Sequence, residues 1–134
     1  MRISLVSDSK TGINFFPQLR SILEKNVADL ECDSVFVPFP EDIPGAASAL
    51  AADAEIIFVF VLYNEMDFKV KALFSKLIDI EMQSDVRIIK AIGEREHEQL
   101  PGAKLQREKE ELAEKWGKFI LDCLFKPEAF EPSG

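Results

Sequence analysis

The sequence predicts an α/β fold, a three-layer, doubly wound parallel sheet of four strands, formed by one chain of 134 residues read as a single domain. Three observations predict it. Segments of strand character alternate four times with segments of helical periodicity. The run Ile56-Ile57-Phe58-Val59-Phe60-Val61-Leu62 is apolar throughout, as burial on both faces requires of a central parallel strand. Right-handed crossovers then set helices on both faces of such a sheet.

The elements follow in order. Residues 2–7 alternate around Ile3, Leu5 and Val6 and meet the polar cluster Ser7-Asp8-Ser9-Lys10-Thr11-Gly12, a strand running into a loop. From Asn14, the residues Phe16, Leu19, Ile22, Leu23 and Val27 recur at helical spacing, with Pro17 early enough that its missing N–H costs little. Ser34-Val35-Phe36-Val37 is β-branched and aromatic, and reads as the second strand. Pro38, Pro40 and Pro44 after it predict a stiff loop without regular structure. Alanine-rich residues 45–52 predict a short helix that can approach a sheet closely.

After the central strand, Asp67 is placed to cap a helix carrying Val70, Leu73, Phe74, Leu77, Ile78 and Met82, closing near Ser84-Asp85. A strand over 86–92 follows, and then an exposed loop over 93–102 that holds His97. Leu105, Leu112, Trp116, Phe119, Ile120, Cys123 and Leu124 give one apolar face to a long last helix, which Pro127 stops.

Composition narrows the function classes. A net charge of −8 argues against nucleic acid, whose affinity comes from a basic patch releasing counterions. No apolar run reaches the roughly 18 residues of a membrane span, so no membrane partner is expected. The N-terminus lacks the h-region and cleavage site of a secretory signal, and a soluble, cytoplasmic protein is the expectation. Cys32 and Cys123 are too few for a disulfide framework or a metal-ligand cluster, and read as small buried hydrophobes.

Two segments carry a resemblance. Val37-Pro38-Phe39-Pro40-Glu41-Asp42-Ile43-Pro44, followed by small residues and the apolar strand, resembles the Val-Pro-Gly, acidic, Ile-Pro segment of lumazine synthases. Leu124-Phe125-Lys126-Pro127-Glu128 is similar to the tail of the archaeal type of riboflavin synthase, in the same superfamily. The resemblance spans nearly the whole chain and implies a flavodoxin-like sheet of order 2-1-3-4, a homopentamer, and active sites at subunit interfaces. It also implies a role in riboflavin biosynthesis. Riboflavin synthase, a transferase, dismutates two molecules of 6,7-dimethyl-8-ribityllumazine, moving a four-carbon unit between them to yield riboflavin and a pyrimidine. No tightly bound cofactor is implied, and magnesium is the ion the family reaction would draw on.

The departures from that family are specific. The first loop reads Asp8-Ser9-Lys10-Thr11-Gly12 in place of a threonine-rich loop with a Phe-Ala-Arg run. Phe39 replaces a glycine, Leu62-Tyr63-Asn64-Glu65-Met66 replaces a glycine-rich loop, and the family's histidine and glutamate have no counterparts over 69–74. These departures motivate a second reading: a non-catalytic paralogue that binds a flavin or pteridine, or serves as an oligomeric scaffold. They also leave the catalytic residues unassigned.

In open α/β sheets, ligands bind beyond the carboxyl ends of the strands. That rule collects Asp8, Ser9 and Lys10 from the first loop, Phe39, Glu41 and Asp42 from the second, and Tyr63, Asn64 and Glu65 from the third as candidate substrate-binding residues, with no metal ligand among them. Asp42 matches the family's ribityl-contacting acid, or else caps the helix after Pro44. Phe39 and Tyr63 read either as faces on which a pteridine can stack or as oligomer contacts, the latter favoured for Phe39. Lys10 and Glu65 read as polar contacts or as solvated side chains, and His97 as solvated among glutamates. Lys126 and Glu128 read as fixing the end of the last helix. Eleven phenylalanines exceed what a small core needs, so some are expected at subunit contacts. Electron transfer with bound flavin mononucleotide is disfavoured, because the first loop lacks the run of Ser, Thr and Gly amides that cradles a phosphate.

Overall fold

The apolar run becomes β3, Ile56–Tyr63, and its burial explains the sheet around it. Side chains alternate across a strand. Ile57, Val59 and Val61 therefore face one side, Ile56, Phe58 and Phe60 the other, and all six are at most 4% exposed. The computed structural model describes residues 1–95 and 101–126.

β3 pairs in parallel with β1, Arg2–Asp8, on one side and with β4, Arg87–Glu94, on the other. β2, Glu31–Val37, pairs in parallel with the far side of β1. The order 2-1-3-4 is thus established, an α/β fold with flavodoxin-like topology. The order reverses between β1 and β3, which makes the gap between their carboxyl ends the topological switch point of the sheet.

The chain divides into two compact units, Met1–Gly12 with Leu30–Glu98, and Ile13–Asp29 with Gln99–Gly134. The first contains the sheet, α2 and α3. α2, Ile43–Leu50, and α3, Phe68–Gln83, cover one sheet face. Ile43, Ala47, Leu73 and Leu77 pack there with Val6, Ile57, Val59, Val61, Val86 and Ile88. Each large aliphatic side chain so buried contributes about 1.5–3 kcal/mol before chain entropy is set against it. The predicted cap of α3 is formed, since Asp67 Oδ1 accepts from the Val70 N–H at 3.0 Å.

The second unit pairs α1, Phe16–Asn26, with α4, Gly102–Phe125. Phe16, Leu19 and Leu23 form the buried stripe of α1, and Ala113, Gly117, Ile120 and Cys123 that of α4. A Cβ on Gly117 would lie 3.0 Å from Ile22 Cγ2, so a hydrogen at that position lets the two helices come close. Both cysteines are buried thiols, as expected.

Three sequence expectations need correction. β2 begins at Glu31 rather than Ser34, because Glu31, Cys32 and Asp33 pair with Arg2, Ile3 and Ser4 despite lacking a β-branched pattern. Pro40 opens a 3-10 turn, Pro40–Asp42, and Pro44 lies in the first turn of α2. The expected stiff, irregular loop is therefore two helical starts, positions where a missing N–H costs nothing. β4 runs to Glu94, two residues beyond the expected strand. His97, Pro127 and Glu128 lie outside the described residues. α4 ends at Phe125, and the Lys126 N–H donates to the Asp122 carbonyl.

Candidate functional site at the carboxyl rim of the sheet

Asp8 ends β1 and turns inward, only 1% exposed. Its Oδ2 accepts from the backbone N–H groups of Lys10 at 3.0 Å and Thr11 at 3.1 Å, and its Oδ1 accepts from the Thr11 hydroxyl at 2.5 Å. The Thr11 hydroxyl oxygen accepts in turn from the Leu62 N–H at 3.2 Å. This chain of bonds crosses the switch point, tying the β1 loop to β3 beyond the last ladder pair, Ser7 with Phe60. Just below it the buried Ser7 hydroxyl donates to the Phe60 carbonyl at 2.7 Å. The buried side chains of Ser7, Asp8 and Thr11 each have a hydrogen-bond partner, as burial requires.

The loop is held from two other sides. The Ser9 N–H donates to the Val37 carbonyl at the end of β2, 2.9 Å away. Arg95, just past β4, donates from its guanidinium to the Lys10 carbonyl at 2.8 Å, while its own N–H donates to the Tyr63 carbonyl at 2.7 Å. Gly12 closes the turn at φ +78°, a conformation that costs glycine little and side-chain-bearing residues more.

Successive loop amides can bind an anion when they converge on open space. Here the amides of Lys10 and Thr11 converge on a carboxyl group of the chain itself. Those two N–H groups are thus already engaged by Asp8 Oδ2.

The outer part of the rim has a different character. Phe39 is 46% exposed, and Lys10 Nζ stands 4.6 Å from the centre of its ring, a cation–π contact. The Phe39 N–H donates to Asp42 Oδ2 at 3.3 Å, and the Asp42 N–H donates back to the Phe39 carbonyl at 3.0 Å. Asp42 precedes α2 without a side-chain capping bond to it, so its carboxyl group shapes the Phe39 turn. Glu41, Asn64 and Glu65 are exposed and Tyr63 is half-buried.

The nine predicted residues thus divide. Ser9, Lys10, Phe39, Glu41, Asp42, Asn64 and Glu65 present themselves to solvent, Tyr63 in part, and Asp8 is committed to its own loop. Contact between Lys10 and Phe39 brings the first and second loops together. Two residues of the site escaped sequence reasoning. Thr11 carried a signal, an Asp followed three residues later by Thr in a turn, where short polar side chains bond locally. Arg95 carried none, being 85 residues from the carbonyl it holds.

Among the described residues no group of three or more His, Cys, Asp or Glu side chains is placed to hold a metal ion. No described helix is long and apolar enough to cross a membrane. Comparison with known family models and with curated proteins finds no match to this chain. What fold and rim together define is an α/β chain of flavodoxin-like topology with an internally latched switch point.

Proposed function

We propose that this chain binds a pteridine or flavin at the carboxyl rim of its sheet, through ring stacking on Phe39 and polar contacts to the ligand's hydroxylated chain. The observation that carries the reading is the half-exposed Phe39 ring braced by Lys10 at the rim. Rings of this kind stack in an offset arrangement, and a ribityl chain needs hydroxyl acceptors such as Asp42 and Glu41 beside them. Loop amides already engaged by Asp8 favour an uncharged ribityl end over a phosphorylated one.

The reaction such a site would serve is riboflavin synthase-type dismutation of 6,7-dimethyl-8-ribityllumazine. Resemblance of the Val37–Pro44 and Leu124–Glu128 segments supports it. Titration of purified protein with riboflavin and with the lumazine, followed by ligand fluorescence, tests binding. Saturable quenching by either supports the reading, and quenching by neither overturns it. Incubation with the lumazine and magnesium then separates enzyme from binding paralogue, since growth of flavin fluorescence marks turnover.

A further inference from the structure

Helix α3 leaves an apolar stripe in solvent. Phe68 is 76% exposed and Met82 80%, while Leu73 and Leu77 on the opposite side enter the core. At about 100° per residue, Phe68, Lys71, Ser75, Ile78, Asp79 and Met82 fall within about 100° of arc on the solvent side. All six are exposed.

Apart from Ile78, whose mirror position is Ala72 outside this arc, their order is symmetric about Ser75. Phe68 and Met82 each lie seven residues from it, Lys71 and Asp79 each four. Apolar positions mirror apolar positions, and charge inverts across the centre. When two copies of such a helix pack antiparallel about a two-fold axis through Ser75, Phe68 of each meets Met82 of the other. Lys71 of each then meets Asp79 of the other, and the small Ser75 meets its own mate at the crossing. A two-fold interface is self-complementary in this sense: residue i contacts j and j contacts i. A parallel, in-register pairing would instead oppose like charges.

Neither Lys71 nor Asp79 has an ion-pair partner among the described residues. Glu81, the next acidic residue, is engaged within the chain, accepting from Lys90 and from the Ile88 N–H at 3.0 Å. The free charges of the face are therefore those the mirror pairs.

We propose that α3 is the interface of a two-fold homodimer of this chain, centred on Ser75, with Lys71 and Asp79 forming reciprocal ion pairs. This inference is independent of the ligand reading. It also differs in symmetry from the five-fold ring implied by the resemblance.

Light scattering coupled to sedimentation, from about 1 to about 500 µM protein, reads the association directly. Mass is expected to rise from one chain to two across that range, and to stop at two. Lys71→Asp and Asp79→Lys each place like charges in contact and are expected to weaken the dimer about tenfold or more, while the combined exchange restores it. Ser75→Cys is expected to give a disulfide-linked dimer on mild oxidation, the native thiols being buried. Circular dichroism checks that each variant is folded. A wild-type chain that stays monomeric, a pentamer indifferent to both charge reversals, failure of the double exchange to restore association, or a Ser75→Cys variant that does not cross-link would each overturn the proposal.

Discussion

The loop after β1 and the turn after β2 occupy neighbouring positions on one rim, and they are built on opposite plans. Asp8 and Thr11 are buried, and their side chains bond to one another, to the loop backbone and to β3. Phe39, Glu41 and Asp42 are exposed, and the hydrogen bonds between Phe39 and Asp42 stay within their own turn. One segment spends its polar groups on holding the sheet's switch point closed. The other holds a short turn in shape and leaves a ring and two carboxyl groups facing outward. Polar residues at the same rim are thus of two kinds, and burial separates them where residue type does not.

Substitutions should expose that difference. The largest effect is expected from Asp8→Ala, which strips acceptors from two loop amides and a buried hydroxyl and should cost about 3 kcal/mol in denaturant unfolding. Asp8→Asn retains one carbonyl acceptor and should cost less. Thr11→Val leaves the Leu62 N–H without its acceptor and should lower stability by about 1–2 kcal/mol, with faster hydrogen exchange at that amide. Phe39→Ala should change stability by no more than about 0.5 kcal/mol, yet weaken riboflavin binding about tenfold. If Phe39→Ala destabilised the chain as much as Asp8→Ala, the outward-facing turn would be part of the latch and the contrast would vanish.

A smaller contrast concerns how helices are packed. Gly117 lets α1 and α4 approach closely at Ile22, so Gly117→Val is expected to cost about 1–3 kcal/mol through overpacking, measured by thermal or denaturant unfolding. At α3, by comparison, Ser75 is exposed, and its replacement by cysteine should leave the chain's own stability nearly unchanged.

Much of the fold was legible along the chain, and the exceptions have physical reasons. β3 could be read because seven consecutive apolar residues of strand length have few other solutions. Asp67 could be read because a cap bonds within its own turn, to Val70. The start of β2 could not, since Glu31 and Asp33 join the sheet through backbone pairing with β1, which their side chains do not announce. Pro40 and Pro44 misled because proline both ends regular structure and begins helices, and only the following residues decide which.

The candidate site shows the same limit more sharply. The rule that ligands lie beyond strand ends nominated Asp8 and Phe39 together; the Asp8-to-Thr11 spacing hinted at a local turn bond, but not that the loop would be drawn inward and Asp8 buried. The separation came from Leu62, whose N–H draws the Thr11 hydroxyl inward, and from Arg95, which fastens Lys10's carbonyl.

By itself the sequence determined the alternation of strands and helices, the doubly buried β3 and the Asp67 cap of α3. These depend on periodicity and on bonds between near neighbours, which any stretch of chain carries with it. Tertiary structure alone decided which rim residues form the latch and which face solvent. Beyond the local Asp8 bonds, the contacts that fix the latch join residues 51 and 85 apart, and they exist only where parallel pairing brings the ends of β1, β3 and β4 level with one another.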